Sequence, residues 1–186
     1  MANFELLKEL TQAWGVAGRE KAVRAIVLRE LEGHVDSAYV DNIGNIIAVK
    51  HGKGSPDSKK IMLSAHMDEI GLQVKKIESD GRIKVCSVGW VWTSALYNDQ
   101  VVFQNGVIGV VGCDGKIEDA KNDSGKLYID IGCTSKEDTE KYVKVGDYAG
   151  FVGPWYELQN GRISAKTFPL GAEPEGELEI RHIALR

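Results

Sequence analysis

Cysteine is scarce in this chain. Of 186 residues only Cys86, Cys113 and Cys133 are cysteines, odd in number and widely spaced, with no C-x-x-C pair. That arithmetic excludes a disulfide framework and a zinc knuckle, and the three read as buried reduced thiols. Long apolar runs are missing too: none approaches the ~20 residues that cross a bilayer, so no membrane partner is expected. The opening Met1-Ala2-Asn3-Phe4-Glu5 has no basic segment followed by an apolar one, so export is not indicated and the cytoplasm is the expected location. Neither sign of charge dominates. The chain has 23 basic and 27 acidic residues, interspersed, for a net charge of −4. Without a basic stripe, no nucleic-acid partner is expected.

The length suffices for a real core, and hydrophobic periodicity changes once along it. Phe4, Leu6, Leu7, Leu10 and Trp14 recur at helical spacing, with Asn3 as N-cap and Gly15 as the stop. A second helix is predicted over 19–32, burying Val23, Ile26, Val27 and Leu31 and ending at Gly33. Strands follow over 36–40 and 46–50, with Asn42 and Gly44 in the turn, and then over 60–65. From Ile70 onward the pattern is of short β-branched runs: 72–77, 82–88, 100–103, 107–112, 127–131 and 148–151. One short helix is predicted at 135–142. Asp80-Gly81, Asn105-Gly106 and Gly146-Asp147 punctuate these runs. Asn105-Gly106 between Val101-Val102-Phe103 and Val107-Ile108 is a strong hairpin signal. Such spacing predicts a small β-barrel or sandwich.

The chemistry concentrates in Ser64-Ala65-His66-Met67-Asp68-Glu69-Ile70-Gly71-Leu72, just after the apolar Ile61-Met62-Leu63. If the strand continues, His66 and Asp68 share one face while Met67 and Glu69 take the other. A histidine with a carboxylate two residues on suits a metal site: the imidazole binds through one nitrogen and the carboxylate fixes its tautomer. By itself H-x-D more often marks a surface histidine. His34 and His51 read as exposed, since neither has a ligand partner close by, and His182 reads as a tail histidine.

Other features favour structural readings. Trp90, Trp92 and Tyr97 could stack on sugars, but core or interface packing fits them better. Asp68 and Glu69 diverge, so they cannot be the facing carboxyl pair of a glycosidase. The acidic stretch 114–125 lacks calcium-loop order and reads as a mobile hairpin tip. Ser64 is not in a G-x-S-x-G elbow.

Residues 64–72 resemble the first metal-binding segment of the glutamyl aminopeptidase family, dinuclear metallo-exopeptidases of which some members are labelled cellulase M. Further blocks occur in the family's order. Gly15-Val16-Ala17-Gly18-Arg19-Glu20 resembles its turn between the first two helices, and Asp41-Asn42-Ile43-Gly44-Asn45 resembles the strand turn that follows. Leu127 to Cys133, Ser135-Lys136-Glu137-Asp138 and Val145-Gly146-Asp147 resemble the end of its inserted β domain.

The resemblance implies an α/β fold: an incomplete aminopeptidase-type α/β/α domain with an inserted small β-barrel or sandwich. Residues 1–69 would open the catalytic domain, 70–158 form the inserted dimerisation domain, 159–168 the return strand, and 169–186 an atypical tail. The resemblance also implies peptide substrates and two divalent ions, zinc or cobalt. His66 would be a metal ligand and Asp68 the catalytic carboxylate that orients it. The family's second metal segment begins with an aspartate just after Lys166, but this chain reads Thr167-Phe168-Pro169 and has no aspartate after Asp147. One ligand cannot hold a metal tightly, so the chain alone is expected to be inactive and to bind metal weakly or not at all. Exposed apolar residues at 61–63 would be covered by partners in a homo-oligomer through the β domain. The competing class is a non-catalytic oligomerisation or peptide-binding module. An endoglucanase label would be inherited from family naming only.

Overall fold

The computed structural model describes residues 4–55, 59–120, 123–166 and 183–184. The chain divides into two compact units, one drawing on residues up to 13, 20–68 and 155 onward, the other on 14–19 and 69–154. His182 and Asn3, the expected N-cap, lie outside the described residues.

In the first unit, helix α1 (Phe4–Gln12) and helix α2 (Lys21–Leu31) follow the predicted apolar spacing. Arg29 joins them, its guanidinium placing two nitrogens 2.8 and 2.6 Å from the Glu9 carboxylate oxygens. Of the four α2 residues expected inside, only Val23 is buried; Ile26, Val27 and Leu31 are half-buried. The helix's main neighbours among the described residues are α1 and one strand of a hairpin, which cover part of the face. That hairpin pairs β1 (Ser37–Val40) with β2 (Ile46–Val49) antiparallel. Its turn is built by Asp41 more than by the expected Asn42: Asp41 Oδ1 accepts from the amides of Ile43 (3.0 Å) and Asn45 (2.8 Å). Gly44 takes φ 96°, and its carbonyl accepts from Arg24 Nε at 2.8 Å.

The strand expected over 60–65 shrinks to β3 (Met62–Leu63), paired antiparallel with Ile183–Ala184. A strand extends only as far as neighbours satisfy its backbone, and this pairing spans two residues. Ile61, Met62 and Leu63 are all exposed.

The second unit is a closed antiparallel barrel. Its strands are β4 (Gly71–Ile77), β5 (Ile83–Val88), β6 (Gln100–Phe103), β7 (Ile108–Cys113), β8 (Leu127–Asp130) and β9 (Tyr148–Phe151), in spatial order β4-β5-β8-β7-β6-β9. Closure removes every free edge from this sheet. Leu72, Val74, Ile83, Val85, Val101, Phe103, Val111, Leu127 and Ile129 fill the interior. Strict alternation from Leu72 and Val74 would put Lys76 inside; a register shift between Val74 and Lys76 turns both lysines out and returns Ile77 to the core. The short helix α3 (Lys136–Thr139) is capped by Ser135, whose Oγ accepts from Asp138 N at 3.2 Å. Two short strands, β10 (Tyr156–Glu157) and β11 (Ile163–Ser164), pair antiparallel in the first unit.

Three structural expectations are corrected in the barrel unit. Trp90 and Trp92 are 82% and 68% exposed, which removes the core from the core-or-interface expectation and leaves the interface. The alternation Trp-Val-Trp-Thr sends Val91 and Thr93 inward and the tryptophans out. The three cysteines form no disulfide, and all are half-buried rather than buried. Of the stretch 114–125, residues 114–120 and 123–125 are described, and they carry specific anchors. Ala120 is fully buried and its carbonyl accepts from Thr93 Oγ1, with short 3-10 turns at Ile117–Ala120 and Ser124–Lys126.

Asp114 anchors that stretch. Arg82 Nη1 lies 2.8 Å from Asp114 Oδ1, and Lys84 Nζ bonds Oδ2. The Lys84 hydrogen bond, then the Lys84 and Arg82 charges, hold the Asp114 carboxyl below the usual carboxylate range against the opposing effect of burial. An acid with a folded pKa below its unfolded ~3.9 stabilises the fold above that value and loses the contribution as pH falls through the lowered one. The stability gap between wild type and Asp114→Asn is therefore expected to be largest near neutral pH and to shrink below about pH 4. Urea midpoints at pH 7 and pH 3 measure it, and a gap unchanged between them removes Asp114 as an acid-sensitive anchor.

Candidate functional site

Residues 64–68 leave β3 as extended loop rather than as strand. His66 and Asp68 nevertheless meet. His66 Nδ1 lies 3.0 Å from Asp68 Oδ1 and 3.0 Å from the Asp68 carbonyl oxygen. The sharing of one side, argued from strand pleating, is achieved instead by the loop folding the ring back over residue 68. With Nδ1 protonated, the ring donates to Asp68 and the Nε2 lone pair is left available. The His66 side chain is 85% exposed and that of Asp68 43%. This is the arrangement of an oriented imidazole whose outer nitrogen can take a metal or a proton.

Glu69 points elsewhere and has a different task. Its Oε1 accepts from Gly15 N at 3.0 Å. Its backbone forms a parallel bridge with Val16, donating from Glu69 N to Gly15 O (2.9 Å) and accepting at Glu69 O from Ala17 N (3.0 Å). Val16 is fully buried, and a Cβ on Gly71 would stand 2.7 Å from its Cγ1 and 2.8 Å from the Ala149 carbonyl. Glycine at 71 is what lets this segment close over the start of β4. Trp14 Nε1 adds a 3.0 Å bond to the Val102 carbonyl. The residue following Asp68 is thus clamped on both sides. Sequence reasoning missed the clamp, because a parallel bridge more than fifty residues apart leaves no local periodicity.

Glu69 being committed to Gly15, it cannot act with Asp68 as a facing carboxyl pair, in keeping with the reading of these residues against glycoside hydrolysis. Among the described residues no three His, Cys, Asp or Glu side chains converge in a way that could hold a metal ion. Catalytic zinc uses three protein ligands and an open position. His66 with Asp68 fits one such ligand and its orienting carboxylate; the described residues do not complete a centre. No helix among them is long and apolar enough to cross a membrane.

Comparison with known proteins adds the wider frame. A sequence profile described as M42 glutamyl aminopeptidase matches residues 44–169, and one described as AMPT matches 2–26. An inferred aminopeptidase of Acetivibrio thermocellus is 46% identical over 151 residues, 81% of this chain and 44% of its own length. The lysyl aminopeptidase of Pyrococcus furiosus is 31% identical, over 88% of this chain and 50% of its own length. Among solved structures, a protein of Thermotoga maritima described as an endoglucanase superposes with a TM-score of 0.74 at 41% identity, over 87% of this chain and 49% of that one. A TET aminopeptidase from a marine sediment archaeon, Thaumarchaeota archaeon SCGC AB-539-E09, does so at 0.76 and 31%, over 87% and 48%. The chain spans about half the length of the curated relatives it matches.

Proposed function

The chain belongs to the M42 glutamyl aminopeptidase family, and from that premise we propose that it contributes to the removal of N-terminal residues from peptides, with His66 as one metal ligand and Asp68 as the carboxylate that positions it. The observation that carries this reading is the 3.0 Å contact from His66 Nδ1 to Asp68, which leaves the outer nitrogen exposed. Divalent metal suits this family. The finer assignment, two ions of zinc or cobalt, concerns a complete centre to which this chain supplies His66. Asp68 acts through the ring and not on the substrate, so it is a positioning residue. The setting we propose is cytoplasmic, and the occupants of the wider site are peptides.

A second reading, homo-oligomerisation through the barrel, draws on Trp90 and Trp92, both strongly exposed. The relatives PhTET1-12s and Pyrococcus horikoshii TET1 are described as a dodecamer and as a tetrahedron or octahedral shell. We propose self-association of this chain through the barrel face that carries Trp90 and Trp92.

One experiment separates the two. The chain is assayed on aminoacyl p-nitroanilides with zinc or cobalt, alone and mixed with the separately expressed remaining half of the Acetivibrio thermocellus relative. The peptidase reading expects no release from the chain alone, release from the mixture, and its loss with chelator. Absence of activity in every mixture, with metal-independent association in the ultracentrifuge, would leave the oligomerisation module in its place.

A further inference from the structure

An open cleft of about 460 Å³ lies wholly within the barrel unit. Its walls bring together Arg19 from the loop before α2, Asn105 from the β6–β7 turn, and Lys141, Lys144, Asp147 and Tyr148 from the segment leading into β9. The volume is that of a small-ligand site, and the charges on its rim are not balanced internally.

Each charge can be followed. Lys141 is paired with Asp138 at 3.1 Å. The Asp147 carboxylate accepts from the Lys144 backbone amide at 2.8 Å, which occupies Oδ2 without using the Lys144 ammonium. The Arg19 guanidinium stacks over the Tyr148 ring, 5.0 Å from its centroid. Among the described residues no carboxylate forms an ion pair with Arg19 or with the Lys144 ammonium. Arg19 and Lys144 set against Asp147 leave one net positive charge. A guanidinium over an aromatic face is attracted to it without spending its N–H donors, so the planar fork that matches an oxyanion is left to bind. The opposite wall is preformed: Asn105 donates to the Tyr142 carbonyl at 2.7 Å and accepts from Val107 N at 3.1 Å.

We propose that this cleft is a binding site for a peptide carboxylate, taken bidentately by Arg19 and supported by Lys144. The single residual charge matches a monoanion rather than phosphate, which carries between one and two negative charges at neutral pH. The binding does not depend on hydrolysis at His66, and its test reads no activity.

The test is a ¹H–¹⁵N titration of the full chain with acetyl-trialanine, its C-terminal amide, acetyl-Ala-Glu-Ala-amide and inorganic phosphate. The free acid is expected to shift the amides of Arg19, Lys144 and Tyr148 at millimolar concentration, while the trialanine amide leaves them in place. Response to the glutamyl peptide places the recognised group on a side chain as well as at a C-terminus; silence confines it to the C-terminus, and both agree with carboxylate recognition. Arg19→Gln should weaken the acid about tenfold, and Arg19→Lys, which keeps charge but loses the fork, should weaken it measurably as well. Lys144→Gln, at an exposed position, guards against a folding artefact and should weaken it about threefold. Equal binding of acid and amide, displacement of the acid by equimolar phosphate, no shifts at all, or wild-type affinity in both Gln variants would each overturn the assignment.

Discussion

His66→Ala is expected to lower peptidase activity by more than about 100-fold in the reconstituted mixture, while leaving the fold intact. The size follows from what is removed: loss of an orienting carboxylate typically costs about 10–100-fold in metal affinity or activity, and loss of the ligand itself exceeds that. The absence of a structural cost follows from exposure, since the ring is 85% solvent-accessible and, among the described residues, bonds to Asp68 alone. Asp68→Asn should fall between, about 10–100-fold, because the amide can still accept from Nδ1 but no longer with a full charge. Metal content, p-nitroanilide hydrolysis and the thermal midpoint are read on the same preparations. Unchanged activity in His66→Ala would remove the imidazole from the centre altogether. A midpoint that collapses with activity would instead make His66 structural.

The second large effect belongs to the barrel. Gly81 and Gly106 both sit at φ +89°, but their surroundings differ. A Cβ on Gly106 would meet nothing within 4 Å, whereas one on Gly81 would overlap the Cys133 carbonyl and approach Ser135 N at 3.1 Å. The neighbours at 81 are backbone and cannot swing aside. They are also pinned, since the buried Thr139 hydroxyl lies 2.8 Å from the Gly81 carbonyl and 3.1 Å from the Ser135 carbonyl. Gly106→Ala should therefore cost only the left-handed backbone penalty, about 1–2 kcal/mol. Gly81→Ala should add the displacement of the 133–139 segment and exceed about 3 kcal/mol, comparable to emptying a core position. Urea unfolding of the two variants decides it. Equal losses would mean that the 133–139 segment yields freely and does not hold the β4–β5 hairpin.

Local sequence carried much of this molecule. The helical spacing of Phe4 to Leu10 and of Val23 to Leu31, the turn glycines at 81, 106 and 146, and the β-branched runs from Leu72 to Phe151 were each legible because a few consecutive residues decide helix, turn or strand. The His66–Asp68 pair was legible for the same reason, as two residues in one short segment whose chemistry is complementary.

Other features depended on distance along the chain. Strict alternation could not reveal the bulge that turns Lys75 and Lys76 outward. Composition suited Trp90 and Trp92 to a core or an interface, and alternation around the buried Val91 took them out of the core. The acidic stretch showed no sign of its anchors because the partners of Asp114 and Ala120, namely Arg82, Lys84 and Thr93, lie about thirty residues away. His66 and Asp68 were named by type and spacing alone. Only the folded chain decided that a loop and not a strand brings the ring to the acid, that Glu69 is spent on Gly15, and that Arg19 and Lys144 face one cleft. Spacing governs what neighbours in the chain can do; pairing between distant segments is governed by packing, which leaves no period in the sequence to read.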